Sequence, residues 1–355
     1  MERSPDLERI SGSIPALDPL TVLRSPLKLR GDHHIPRILP GPMEGVMTPW
    51  FCHAAAALDL TDGWMTPFFR LSDNLPRKRK FTEFLTPFLD SGKPVILQLM
   101  GCDAALMADA AALAAANFQL CGIDVNFACP SPTVLRSGGG GAMLRHPATM
   151  VKIICAMRQA LPELPLSVKL RTGYESEQEM AGYLPELAAA GVDLISIHFR
   201  TVKEVYSQAP GRKERLTRAV ELAGAIPVFG SGDVYAITDA QEMLSCGCAG
   251  IMGARGWLRD PWLLRRLGNP HEDMTTDKGR EAFWGELMKQ ASALPEPRPR
   301  PGLTGLAAYM WGGQNPRFRA LLKLSDQEFW NGGSAEGSLN TGNSDADAVT
   351  PGNSL

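Results

Sequence analysis

An α/β protein is what this sequence predicts: a (β/α)8 TIM barrel followed by a small C-terminal α-helical domain. Eight short runs rich in branched apolar residues recur along the chain, most of them separated by helical stretches of ten or more residues. Polar and charged residues gather at the ends of those runs, and the alternation stops near residue 268. Strand–helix alternation repeated eight times is the signature of a parallel barrel with its helices outside.

The strand candidates run in order from Arg37-Ile38-Leu39 and Trp64-Met65-Thr66-Pro67-Phe68 to Pro94-Val95-Ile96-Leu97-Gln98-Leu99 and Gly122-Ile123-Asp124-Val125-Asn126-Phe127. The series continues with Leu166-Ser167-Val168-Lys169-Leu170, Leu194-Ile195-Ser196-Ile197-His198, Ile226-Pro227-Val228-Phe229 and Gly250-Ile251-Met252. Caps mark the helices between them. Ser176 with Glu179 and Thr238 with Gln241 have the capping-box spacing, and Asp260-Pro261 sets an acid before a proline at a helix start. Met150, Ile153, Ile154 and Met157 form one apolar stripe. Pro185, inside the helix expected after Tyr183, is the least regular feature of this region.

Four segments follow from this reading. Residues 1–35 lack sustained periodicity and are expected to be a loosely ordered arm. Residues 36–268 form the barrel, and 269–330 form helices interrupted by Pro295-Glu296-Pro297-Arg298-Pro299-Arg300-Pro301. Residues 331–355, rich in Gly, Ser, Asn, Thr and Asp, bury too little apolar surface to offset their ordering entropy and are expected to be disordered.

Composition narrows the classes of function. A hydrophobic fraction of 44% with 21% charged residues is ordinary globular composition. No apolar run reaches the ~18 residues of a membrane span, and no apolar leader with a small-residue cleavage site opens the chain, so a cytoplasmic protein is expected. The seven cysteines are scattered, without C-x-x-C or a completing zinc pair, which fits free thiols and no metal. A net charge of −2 does not announce a nucleic-acid binder. The one dense basic run, Arg77-Lys78-Arg79-Lys80, is either a local RNA-contacting patch or a solvated helix start.

In such barrels the working groups stand at the C-terminal strand ends, where eight loops converge. Those ends carry Gly41-Pro42-Met43-Glu44-Gly45, Gln98, Asn126 with Cys129, Lys169 with Arg171, His198 with Arg200, Ser231-Gly232-Asp233, and Ala254-Arg255. The last two groups suit a phosphate, with Gly232 permitting close backbone approach and Arg255 offering a charged fork. Lys169 ends an apolar strand, so its ammonium needs an electron-rich ring or a neighbouring carboxylate. Gln98 can donate and accept, as the carbonyls and ring nitrogens of a flavin require. His198 either joins them or bonds within the barrel. Cys129 lies on a loop stiffened by Pro130 and Pro132. A thiol with a pKa of about 8.5 is largely protonated at neutral pH and can protonate a carbanion-like carbon. Gly138-Gly139-Gly140-Gly141 lacks the Lys-Ser/Thr of a P-loop and reads as a mobile lid carrying Cys129.

Taken together these motifs resemble the tRNA-dihydrouridine synthases. The resemblance rests on Pro42-Met43-Glu44-Gly45-Val46-Met47, the run from Gly122 through Asn126-Phe127-Ala128-Cys129-Pro130-Ser131, Ser167-Val168-Lys169-Leu170-Arg171 and Ile197-His198-Phe199-Arg200-Thr201. Thr133-Val134 before Ser137-Gly138-Gly139-Gly140, and Thr66-Pro67-Phe68-Phe69-Arg70, are most similar to the DusC branch, which modifies position 16 of the tRNA D-loop. The resemblance implies FMN held by Pro42, Met43, Glu44, Gln98, Lys169, His198, Ser231, Gly232, Asp233, Ala254 and Arg255. It implies NADPH as reductant, Cys129 as the proton donor, and Arg70, Asn126 and Arg171 facing the RNA; a monomer is expected separately from the resemblance. Ser231 stands where the family usually has Asn, Ala254 where it has Gly, and Ala128 where it has Gly. Two other readings stay open at this point: a small-molecule FMN oxidoreductase of ene-reductase or dihydroorotate-dehydrogenase type, and a non-catalytic RNA-binding barrel.

Overall fold

The computed structural model describes residues 19–269 and 271–332. The tail expected to be disordered lies, from residue 333 on, outside the described residues, as does the arm before residue 19.

All eight expected strands are present as one parallel sheet. They are β3 (Ile38–Pro40), β4 (Trp64–Arg70), β5 (Val95–Met100), β6 (Gly122–Phe127), β7 (Leu166–Arg171), β8 (Leu194–His198), β9 (Val228–Ser231) and β10 (Gly250–Gly253), preceded by a two-stranded hairpin of β1 (Leu27–Lys28) and β2 (His34–Ile35). The ladder runs β3-β10-β9-β8-β7-β6-β5-β4, and β3 and β4 lie beside each other across the seam, so the sheet curls into a barrel.

Successive strand residues face opposite sides of a sheet. On β6, Ile123, Val125 and Phe127 join the large outer core under the helices, as do Val168 and Leu170 on β7 and Ile195 and Ile197 on β8. The alternate positions face the barrel axis. At the N-terminal end these are apolar: Leu39, Met65, Ile96, Leu194, Phe229 and Met252 form a separate inner cluster. Higher up they are polar, and the register sets Gln98 beside Asp124, Asp124 beside Ser167, Lys169 beside Ser196, and His198 beside Ser231. The barrel therefore has an apolar floor and a polar mouth.

The hairpin belongs to that floor. Ile35 is buried in the inner cluster, with Leu27 and Leu29 packed against it. Leu20 and Leu23, on a 3-10 turn over Pro19–Arg24, are buried in the outer core. Residues 19–35 are thus built into the barrel rather than loosely ordered. Their apolar residues serve three short elements, none long enough to show a period.

The outer helices are α1 (Pro49–Ala57), α2 (Lys78–Leu89), α3 (Ala104–Asn117), α4 (Pro132–Arg136), α5 (Pro147–Ala160), α6 (Leu184–Ala189), α7 (Arg212–Ala223), α8 (Ile237–Ser245), α9 (Arg255–Arg259) and α10 (Leu263–Gly268). The stripe Met150, Ile153, Ile154 and Met157 is buried on α5. Ser176 and Glu179 form the expected capping box, which opens a 3-10 turn over Glu177–Gly182. Pro185 then sits in the first turn of α6, where its missing N–H costs nothing. The cap of α8 falls two residues earlier than expected: Asp239 accepts from the N–H groups of Tyr235 and Ala236, and Thr238 lies inside the helix. Asp260 pairs with Arg266 and Thr276 rather than capping α10.

Beyond the barrel stand α11 (Thr276–Ser292), α12 (Arg300–Trp311), α13 (Pro316–Lys323) and α14 (Asp326–Gly332). Here α11 packs on α1, and α12 packs on α9. Phe283, Trp284, Leu287, Leu303, Leu306 and Phe329 continue the outer core across that junction. Among the described residues no helix is long and apolar enough to cross a membrane.

Candidate active site

The mouth of the barrel collects the expected residues, at two levels. At the upper level, Cys129 follows β6 on a loop held from three sides. Its N–H and that of Ala128 donate to Asn126 Oδ1, both at 3.0 Å. Its carbonyl accepts from Gly141 N–H at 3.0 Å. Arg171 Nε donates to Ala128 O at 3.0 Å, while Nη1 reaches Thr201 O at 2.8 Å and Val205 O at 2.9 Å, tying this loop to the one after β8.

The glycine run is a buttress, not a mobile lid. Gly139, Gly140 and Gly141 are buried, and the 3-10 turn over Gly140–Arg145 packs back on Cys129. A Cβ on Gly140 would stand 2.7 Å from Val134 and 3.0 Å from the Cys129 Cβ, at a backbone φ of +55° that disfavours any side chain. Gly140 and Gly141 stand where the two loops touch.

Burial pushes the Cys129 thiol above its ordinary range, against Ser131, Arg171, Lys169 and Arg70, which all pull it down. The thiol is therefore protonated at neutral pH. Lys169 is pushed down to about 8 by burial and then by Arg171, with Asp124 and Cys129 opposing. Its ammonium makes no hydrogen bond or ion pair with the described residues, so the carboxylate-paired alternative is not realised. His198 lies well below its usual range, through burial first and then Arg171, Lys169, Arg200 and Arg255. It is neutral, and because Nδ1 accepts from Arg200 N–H at 3.2 Å, its proton sits on Nε2.

Where β9 and β10 end, Asp233 is clasped between Arg200 and Arg255; the latter's Nη2 donates at 2.6 Å. Gly232 has φ +104°, and a Cβ there would meet Phe199 at 2.8 Å and His198 at 3.0 Å. Among the described residues, Arg200 Nη1 is buried without a hydrogen-bond partner, and so is Ser196 Oγ inside the barrel. The Arg255 guanidinium also lies 4.5 Å over the exposed ring of Tyr206. Pro42 and Met43 line the rim after β3, where burial raises the Glu44 carboxyl despite nearby Arg70.

Three expected roles look different once placed. Gln98 is wholly buried, donating to Asp124 at 2.8 Å and accepting from Asn126 at 2.8 Å, so little of its amide is left for a ring. Asn126 and Arg171, expected to face RNA, are turned inward to hold the Cys129 loop; Arg171 is only 2% exposed. Arg70 is exposed at the end of β4. Asp124 and Tyr206 join the site unexpected from the sequence, and Arg200, expected only as one of the strand-end groups, pairs with Asp233. The signal for Asp124 was available in the polar–apolar alternation of Gly122-Ile123-Asp124-Val125-Asn126-Phe127, which puts it on the inner face.

Asp124 is fully buried, and burial raises its carboxyl to about 6, against hydrogen bonds from Ser167 and Gln98 and the charge of Lys169. Between about pH 4 and 6 the folded chain keeps a proton that the unfolded chain has released. This group's contribution is thus present below that window and lost as pH rises through it. By urea unfolding, wild type is expected to lose up to about 3 kcal/mol of stability relative to Asp124→Asn between pH 4 and pH 6.5. A pH-independent difference would place the carboxyl in contact with water.

Fold and site together define a (β/α)8 barrel with a polar, cation-lined mouth. It shares its fold with the old yellow enzyme from Trypanosoma cruzi, at TM-score 0.53 and 10% identity, covering 77% of this chain and 98% of that one. Morphinone reductase is similar too, at TM-score 0.51 and 12% identity, covering 74% and 92%. Within that class the chain belongs to the dihydrouridine synthase (Dus) family, which it matches over residues 39–291. A tRNA-dihydrouridine(16) synthase from Pseudomonas syringae pv. tomato is 31% identical over 262 residues, covering 71% of this chain and 80% of the relative. The protein of the same name from Aquipseudomonas alcaligenes is 30% identical over 285 residues, covering 75% and 87%.

Proposed function

We propose that this protein is a flavin-dependent tRNA-dihydrouridine synthase that reduces uridine 16 of the D-loop, holding FMN at the barrel mouth and drawing electrons from NADPH. Family membership and the names of the relatives support the reaction. The observation that carries it to this chain is Cys129, on a loop tied down at the mouth by Asn126, Gly141 and Arg171.

The residues present fit FMN. Lys169 Nζ is an unpartnered cation that suits the electron-rich edge of the ring, and His198 offers an Nε2–H donor. Arg200 Nη1, a buried donor without a partner among the described residues, stands with Arg255, Ser231, Gly232, Asp233 and Ala254 where a phosphate would be held. Pro42, Met43 and Glu44 close the rim. Reduced FMN, when bound, supplies the hydride that goes to uracil C6. Cys129 gives its proton to C5, so the C5=C6 double bond becomes single and the thiolate is left to be reprotonated. Arg171 and Asn126 keep the thiol loop in place, and the nearby cations steady the thiolate.

A uridine stacked in its loop cannot reach such a mouth and must be turned out of the stack. Arg70 and the basic run at the start of α2, both on the mouth side of the barrel, supply charge for the phosphates, and exposed Tyr206 offers an aromatic face. We assign residues 269–330 to tRNA binding as well. In support, Tyr309 on α12 lies within electrostatic reach of Tyr206 and Arg255, which brings this domain to the mouth. The protein works as a cytoplasmic monomer in this reading.

Binding of unmodified tRNA is expected to weaken linearly in log–log form as salt rises, with a slope of about −0.7 to −0.9 per phosphate contact. Arg70→Ala should lower that slope by about one contact. A salt-independent interaction, or reduction of small enones with no reduction of tRNA, would favour the small-molecule oxidoreductase instead.

A further inference from the structure

Beneath Cys129 four side chains are joined by hydrogen bonds that, once Asp124 is ionised, can run in only one sense. Asp124 Oδ1 accepts from Ser167 Oγ at 2.6 Å, and Oδ2 accepts from Gln98 Nε2 at 2.8 Å. Gln98 Oε1 accepts from Asn126 Nδ2 at 2.8 Å. Asn126 Oδ1 accepts from the peptide N–H groups of Ala128 and Cys129. All four side chains are buried.

A side-chain amide turned end for end keeps its shape and exchanges donor for acceptor. Gln98 and Asn126, taken alone, could stand either way. The two ends of the line remove that freedom. An ionised carboxylate can only accept, and a peptide N–H can only donate, so one orientation of each amide satisfies both.

We propose that Asp124 is a positioning residue for Cys129: its carboxylate fixes the sense of Gln98 and Asn126, and through them anchors the two peptide N–H groups that hold the thiol loop. Its importance to catalysis rests on Cys129 being the acid, but the hydrogen-bond line itself is independent of flavin and RNA. A buried carboxylate is costly where an amide of the same shape would not be. An asparagine at position 124 could donate as well as accept, and would let the line invert. In the inverted sense Asn126 would point its NH2 at two N–H groups, and the loop would have to move away. The charged group facing Asp124 is Lys169 on the neighbouring strand.

The test reads the thiol directly. Purified protein is alkylated with iodoacetamide and the Cys129 peptide is followed by mass spectrometry, with exposed Cys155 as internal reference. Asp124→Asn is expected to speed Cys129 alkylation about tenfold, the weight of one net hydrogen bond on a local opening equilibrium. Adding Gln98→Glu moves the acceptor-only group one place along the line. The asparagine at 124 can then donate to the glutamate at 98, which still accepts from Asn126. This double variant should return Cys129 to within about twofold of the wild-type rate, as coupled neighbours do and independent sites do not. Wild-type alkylation in Asp124→Asn overturns the proposal. So does a double variant that fails to restore protection, whether it folds or not. A protein with this alkylation pattern that does not reduce tRNA would instead overturn the proposed function and leave the positioning role standing.

Discussion

Cys129→Ala is expected to give a yellow, FMN-loaded protein whose dihydrouridine formation is about 10²- to 10⁴-fold slower, the range for loss of a positioned general acid. The thiol is suited to that task because burial keeps it protonated while Lys169, Arg171 and Arg70 wait to stabilise the thiolate that proton transfer leaves. The loop should survive the change. Its anchors are the Ala128 and Cys129 N–H groups on Asn126, the Cys129 carbonyl on Gly141 N–H, and Arg171 on the Ala128 carbonyl, none of which involves the sulfur. Flavin content by visible absorbance and dihydrouridine by nucleoside mass spectrometry would separate the two effects. Wild-type turnover in this variant would remove Cys129 from the chemistry.

Gly232→Ala is expected to yield colourless protein with flavin affinity lowered at least about 100-fold. The backbone there has φ +104°, where an L side chain costs of order 1–3 kcal/mol before any contact is counted. The added Cβ would stand 2.8 and 2.9 Å from two ring carbons of Phe199 and 3.0 Å from His198 Cε1. Phe199 is buried, so it cannot swing aside, and the peptide must move instead. That movement carries Asp233, and with it the Arg200–Asp233–Arg255 clasp proposed to receive the phosphate. Titrating the apoprotein with FMN measures the loss directly, and unchanged affinity would place the phosphate elsewhere.

The barrel was legible because its eight strands carry branched apolar residues and its helices fill the intervals; each expected strand appears at its place. The hairpin at residues 27–35 was not, because a strand of two residues has no period to read. At the site, the strand ends pointed to the right residues but not to their partners. Asn126 and Arg171 look from the sequence like polar groups free to meet a substrate. In the fold they are the nearest donors and acceptors to a loop whose own carbonyls and N–H groups need partners, so they turn inward. The same holds for the glycine run: four glycines in a row suggest freedom, yet Gly140 and Gly141 are packed closely against Cys129, where a side chain would not fit. Arg200 gained its importance only when the register of the neighbouring strands β8 and β9 brought it beside Asp233, a contact that no local pattern encodes.

The most direct test is to incubate purified, FMN-reconstituted protein with NADPH and unmodified tRNA transcript, then map the product by mass spectrometry. A gain of two hydrogens at uridine 16, absent with Cys129→Ala, is the predicted result. Flavin-loaded protein that oxidises NADPH yet leaves every uridine unreduced would contradict it.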